Sequence, residues 1–149
     1  MDGFHVATKL REQDPEAYEI LCTTPLHFKM DSAKGDLQSR NPLLTLDAQG
    51  ELKVFRYSNQ LVQPSNLPAD QVLPFYRAYQ ALGKLVEDPA NMVEFRLNTG
   101  DMMATNNLRV MHGRKAFDPS TGDRHLQLSY MDLDDVMSRI RMLKKAQAA

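Results

Sequence analysis

Apolar residues recur along this chain with two periods, and the changes from one to the other divide it into elements. Phe4, Ala7 and Leu10 stand three apart, as on one helix face, and predict a helix from Asp2 to Leu10. A second helix is predicted over Asp14–Leu21. Asp14 suits its N-cap, and Pro15 is harmless at the first position, where its missing N–H would lack a partner anyway. Pro25 closes it. His27 to Met30 reads as a short strand, and the polar run Asp31 to Asn41, holding Gly35, as a loop. Leu44 and Leu46 alternate with Thr45, and Leu52, Val54 and Arg56 with Lys53 and Phe55. Around Asp47-Ala48-Gln49-Gly50 this predicts a hairpin. Ser58 to Asp70, with Pro64 and Pro68, reads as a long loop of the kind that often carries function.

Val72, Phe75, Tyr76, Tyr79, Leu82 and Val86 then form an apolar stripe at spacings of three and four, predicting a helix from about Gln71 to Asp88. Pro74 is tolerated in its first turn. Met92 to Leu97 alternates as a strand, and Asn98 to Asp101 is a tight turn. Next comes the stretch around which the chain is organised. Gly100 to Arg114 and Arg124 to Tyr130 read as antiparallel strands joined by the loop Lys115 to Asp123. Asp132 to Lys145 predicts a last helix, acidic at its start and basic at its end, as the helix dipole favours. The sum is about seven strands and four helices, with strands joined by hairpins. That order predicts an α+β domain, jelly-roll-like, with helices against an antiparallel sheet.

At 149 residues one domain with a real core is expected. A net charge of -1 supplies no basic field, so no nucleic-acid partner is expected. The single Cys22 excludes an internal disulfide and suits a reducing compartment. No apolar run approaches membrane-spanning length and no charged-then-apolar leader opens the chain, so no membrane association and a cytoplasmic location are expected.

Asn107-Leu108-Arg109-Val110-Met111-His112-Gly113-Arg114, then Arg124-His125-Leu126-Gln127, Tyr130 and Asp135-Val136-Met137-Ser138-Arg139-Ile140-Arg141 carry a resemblance. So do Asp2-Gly3-Phe4, Leu73-Pro74-Phe75-Tyr76 and Thr99-Gly100-Asp101. Together they resemble the Fe(II)/2-oxoglutarate-dependent dioxygenases of the taurine dioxygenase-like superfamily, nearest the branch that hydroxylates gamma-butyrobetaine in carnitine biosynthesis. The resemblance implies the C-terminal part of a double-stranded β-helix (jelly-roll) catalytic domain over residues 1–149. It implies that His112 is a metal ligand and that Arg124 holds the far carboxylate of 2-oxoglutarate, a task for a planar guanidinium fork. Tyr130 would face the trimethylammonium group, which an aromatic face attracts. Ser58 and Asn59 stand where the family carries an Asn-Asn pair that meets the substrate carboxylate. Strand parity would turn Arg124, Leu126, Leu128 and Tyr130 the same way, over ~20 Å.

Such an iron takes two histidines and one carboxylate on one face. In the family, the other two ligands form a His-x-Asp pair upstream of the residues matching Asp2-Gly3-Phe4. Here His5, His27, His112 and His125 are followed two positions on by Ala7, Lys29, Arg114 and Gln127, so the chain supplies one ligand of three. Two expectations follow: a dioxygenase fragment acting on a small trimethylammonium substrate, or a truncated non-catalytic relic or interaction module. An open sheet edge would invite a homodimer or a complementing upstream segment. The plain alternatives are a strand-end histidine bonded to a carbonyl for His112, a surface ion pair for Arg124 and a core tyrosine for Tyr130. His125 is expected to be structural, Cys22 inert packing, and Arg139, Arg141, Lys144 and Lys145 a solvated helix end.

Overall fold

The structure, a computed structural model, describes residues 1–149 apart from 34, 65, 117, 119, 121, 123, 124 and 149. It comprises two compact units, Met1–Gly113 and Arg114–Ala149.

In the first unit α1 (Gly3–Gln13) and α2 (Pro15–Thr23) begin as the sequence predicts. The Asp2 carboxylate accepts the Phe4 amide at 3.0 Å, and that of Asp14 accepts the Ala17 amide at 3.0 Å. The long helix α3 (Ala69–Glu87) is present too. Its buried line runs through Phe75, Ala78, Leu82 and Val86, while Tyr76 is exposed. The buried stripe is thus rotated from the predicted one, with Ala78 in it and Tyr76 outside it. The three helices pack on one another. They join Val6, Leu10, Leu21, Leu43, Leu44 and Phe55 with α3 in one core.

β1 (Leu26–Ser32) pairs antiparallel with β2 (Gly35–Asn41), from Leu26 opposite Asn41 to Ser32 opposite Gly35. The predicted loop Asp31 to Asn41 is therefore mostly strand. β2 is exposed until its last residue, so it lacks the apolar alternation that reveals a strand, and its backbone pairing holds it. β3 (Leu44–Leu46) and β4 (Leu52–Phe55) form the predicted hairpin. Asp47 Oδ1 accepts the amides of Gln49 and Glu51, both at 2.9 Å, and Gly50 takes a φ of 82°. Phe55, predicted on the outward parity, is buried, because the start of α1 covers that side.

Among the described residues there is no strand over 92–97, over 100–114 beyond a single bridge at Val110, or over 125–130. These predicted strands are corrected. Alternation becomes a strand only when a neighbouring edge takes the backbone hydrogen bonds. Val93 and Phe95 instead stand exposed, at 78% and 64%. Helices over small antiparallel sheets make an α+β arrangement.

The second unit carries α4 (Leu133–Gln147), with Asp134 and Asp135 in its first turn and Lys144 and Lys145 in its last. Among the described residues no helix is long and apolar enough to cross a membrane.

Candidate active site

The segment that ends at His112 is held on both sides. The Phe55 amide donates to the Leu108 carbonyl at 2.8 Å. On the other side the Gly3 amide donates to the Arg109 carbonyl at 2.9 Å, and the Met111 amide to that of Met1 at 3.1 Å. The Met1 nitrogen returns a bond to the Met111 carbonyl at 3.0 Å, and Asp2 bridges Val110 in antiparallel sense. Leu108 to Met111 thus runs between β4 and the start of the chain. A turn precedes it, in which the amides of Arg109 and Val110 donate to the Asn106 carbonyl at 3.0 and 2.8 Å. Met111 packs on the core, while His112 is exposed.

Gly3 makes this arrangement possible. A Cβ there would lie 2.6 Å from Phe55 Cγ and 2.7 Å from the Arg109 carbonyl oxygen. Beside it, Asp2 and Arg109 form a two-pronged ion pair, with Nη2 2.6 Å from Oδ2 and Nε 3.1 Å from Oδ1. The hydrogen bond from Arg109, ahead of partial burial acting the other way, holds the Asp2 carboxyl below its usual range.

Ser58 and Asn59 follow the end of β4. The Ser58 carbonyl accepts the amides of Leu61 and Val62, at 3.3 and 3.2 Å. The Asn59 side-chain oxygen accepts a short hydrogen bond from the Tyr79 hydroxyl. Tyr79 stacks on Tyr57 with centroids 5.3 Å apart and on Phe75 at 6.0 Å, and Phe75 meets Tyr76 edge-on. Desolvation first, then the neighbouring Tyr57 hydroxyl, pushes Tyr79 up to about 12.

A prediction follows. The unfolded chain loses the Tyr79 proton near pH 10 and the folded one near 12, so this contribution is complete below pH 10 and fades as pH rises to 12. The hydroxyl is partly exposed, and screening holds the loss to about 1 kcal/mol. Urea midpoints at about pH 9 and about pH 11.5 should diverge more in the parent than in Tyr79→Phe. Equal divergence would refute it.

Tyr130 is 71% exposed and His125 exposed, both in the second unit. Arg124 lies outside the described residues. The structure brings Asn59 together with the tyrosine cluster, and His112 with the start of α1. Burial pushes the Cys22 thiol up, which suits a packing role. Sequence reasoning missed the Asp2–Arg109 pair and the Tyr57–Tyr79 stack. The pair spans 107 positions, and no local pattern connects residues so far apart.

Among the described residues no three His, Cys, Asp or Glu side chains gather as a metal site. Those described residues do not by themselves fit an iron ion.

The profile of the "Taurine catabolism dioxygenase TauD, TfdA family" matches residues 1–130. The chain belongs to that family. It is 37% identical over 145 residues to the gamma-butyrobetaine dioxygenase of Pseudomonas sp. (strain AK-1), covering 97% of this chain and 38% of that protein. The human gamma-butyrobetaine dioxygenase is 32% identical over 150 residues, covering 97% and 39%. The mitochondrial trimethyllysine dioxygenase of Bos taurus is 31% identical over 149 residues, covering 96% and 35%. The chain thus spans well under half the length of these relatives.

Proposed function

We propose that residues 1–149 are the C-terminal part of a jelly-roll catalytic domain of an Fe(II)/2-oxoglutarate-dependent dioxygenase that hydroxylates a small trimethylammonium substrate. The observation that carries the reading is the family match over residues 1–130, with His112-Gly113-Arg114 inside it. Both kinds of relative are dioxygenases whose names carry a trimethylammonium compound. On this reading His112 is one metal ligand, Arg124 binds the 2-oxoglutarate carboxylate, and Tyr130, Ser58 and Asn59 meet the substrate. Bound iron and 2-oxoglutarate supply the oxidising chemistry, and the protein orients and shields it. The remaining ligands come from a His-x-Asp segment joined to this chain or supplied by another.

A second reading, a non-catalytic interaction module, is favoured by the exposed Val93, Phe95 and Met102, apolar side chains that a partner would cover.

The test measures succinate release with trimethylammonium acids, using the chain alone and joined to a His-x-Asp segment. The joined protein is expected to turn over and the chain alone to be silent. Silence in both overturns the reading in favour of the module. Micromolar binding of iron and 2-oxoglutarate by the chain alone would overturn its need for further ligands.

A further inference from the structure

One carboxylate, that of Asp2, serves two structures at once. It caps α1 through the Phe4 amide at 3.0 Å, and it receives the Arg109 guanidinium fork from 107 positions away. The same guanidinium lies over the Phe4 ring, 5.1 Å from its centroid. We infer that Asp2 and Arg109 are positioning residues that seat the backbone leading into His112 on the first turn of α1. The inference rests on the proposed place of His112 in the active site.

Besides this pair, the backbone is held by the few hydrogen bonds at Leu108, Arg109 and Met111 and by the packing of Met111. From Met92 to Asn107 the chain forms no strand or helix, and Gly113 ends the unit. The seat itself is a ladder only a few residues long, and so short a pairing is marginal in water. A two-pronged charged pair adds what the ladder lacks, a fixed direction of approach. Phe4 closes the guanidinium's other side. The pair is open to water, with the side chains of Arg109 and Asp2 50% and 38% exposed. An exposed pair contributes little to global stability, so its effect is local order.

The test uses nuclear magnetic resonance on the full chain carrying Asp2→Asn or Arg109→Lys. Asparagine caps a helix about as well as aspartate, so Asp2→Asn removes the ion pair and spares the cap. Arg109→Lys keeps the charge and loses the fork. In Asp2→Asn the Gly3 and Met111 amides should exchange with solvent several-fold faster. The backbone order parameter of His112 should drop from ~0.85 towards ~0.6, while the amides of Leu82 and Val86 keep their parent rates. Arg109→Lys should fall between the two. An unchanged His112 in both variants overturns the inference, as does a proportional rise at every amide, the mark of a general stabiliser. This failure is distinct from failure of the proposed function. A silent pair leaves succinate release intact, whereas His112→Ala without effect on that release removes the function and leaves the seat standing.

Discussion

Alanine at position 3 is expected to destabilise the first unit by about 2–3 kcal/mol, and valine by more. The added Cβ falls 2.6 Å from Phe55 Cγ and 2.7 Å from the Arg109 carbonyl oxygen. Neither neighbour can yield cheaply. Phe55 is buried in the core, and the carbonyl is fixed by the Gly3 amide itself at 2.9 Å. Alanine's better helix propensity works the other way, by at most about 1 kcal/mol, and by less at the first helical position. The overlap therefore wins. Typical domains hold only about 5–15 kcal/mol in all, so valine should leave a visibly unfolded fraction. Urea denaturation of the parent, Gly3→Ala and Gly3→Val checks the order. An alanine variant within about 0.5 kcal/mol of the parent would mean that Phe55 and the His112 segment move freely.

The helices were legible because each carries a local signal. Asp14 followed by Pro15 marks where α2 starts, and the spacing of Phe75, Leu82 and Val86 marks α3. The β3–β4 hairpin was legible for the same reason, since Asp47 and Gly50 fix its turn within a few residues. β2 was hidden because a strand open to water on both faces has no apolar alternation to read. Met92 to Leu97 misled in the opposite direction. It has the alternation, yet a strand exists only where another edge accepts its hydrogen bonds, and alternation carries no word of that edge. The site divides the same way. His112 stood out through the residues around it, whereas what holds its backbone, Asp2 and Gly3 against Arg109, joins the two ends of the first unit.

In a polypeptide that joins this chain to a His-x-Asp segment, His112→Ala is expected to lower turnover at least ~100-fold. Changing a residue that merely orients a metal ligand costs ~10–100-fold, and the proposed ligand itself should cost more, because a facial site has only three protein donors. Arg124→Lys should instead raise the 2-oxoglutarate requirement by ~10-fold. A lysine keeps the charge but meets a carboxylate as a point rather than a fork, and about 1.4 kcal/mol is tenfold. Tyr130→Leu should raise KM for a trimethylammonium substrate by ~3–30-fold with kcat nearly kept, the range that a cation over an aromatic face supports. The three effects fall on different kinetic constants, so they separate the parts of the proposal. If Tyr130→Leu raises KM for a trimethylammonium acid and for its uncharged analogue by the same factor, the substrate class is wrong and the oxygenase chemistry stands. If His112→Ala keeps parental turnover, His112 is an ordinary exposed histidine and the chemistry must be sought in other residues.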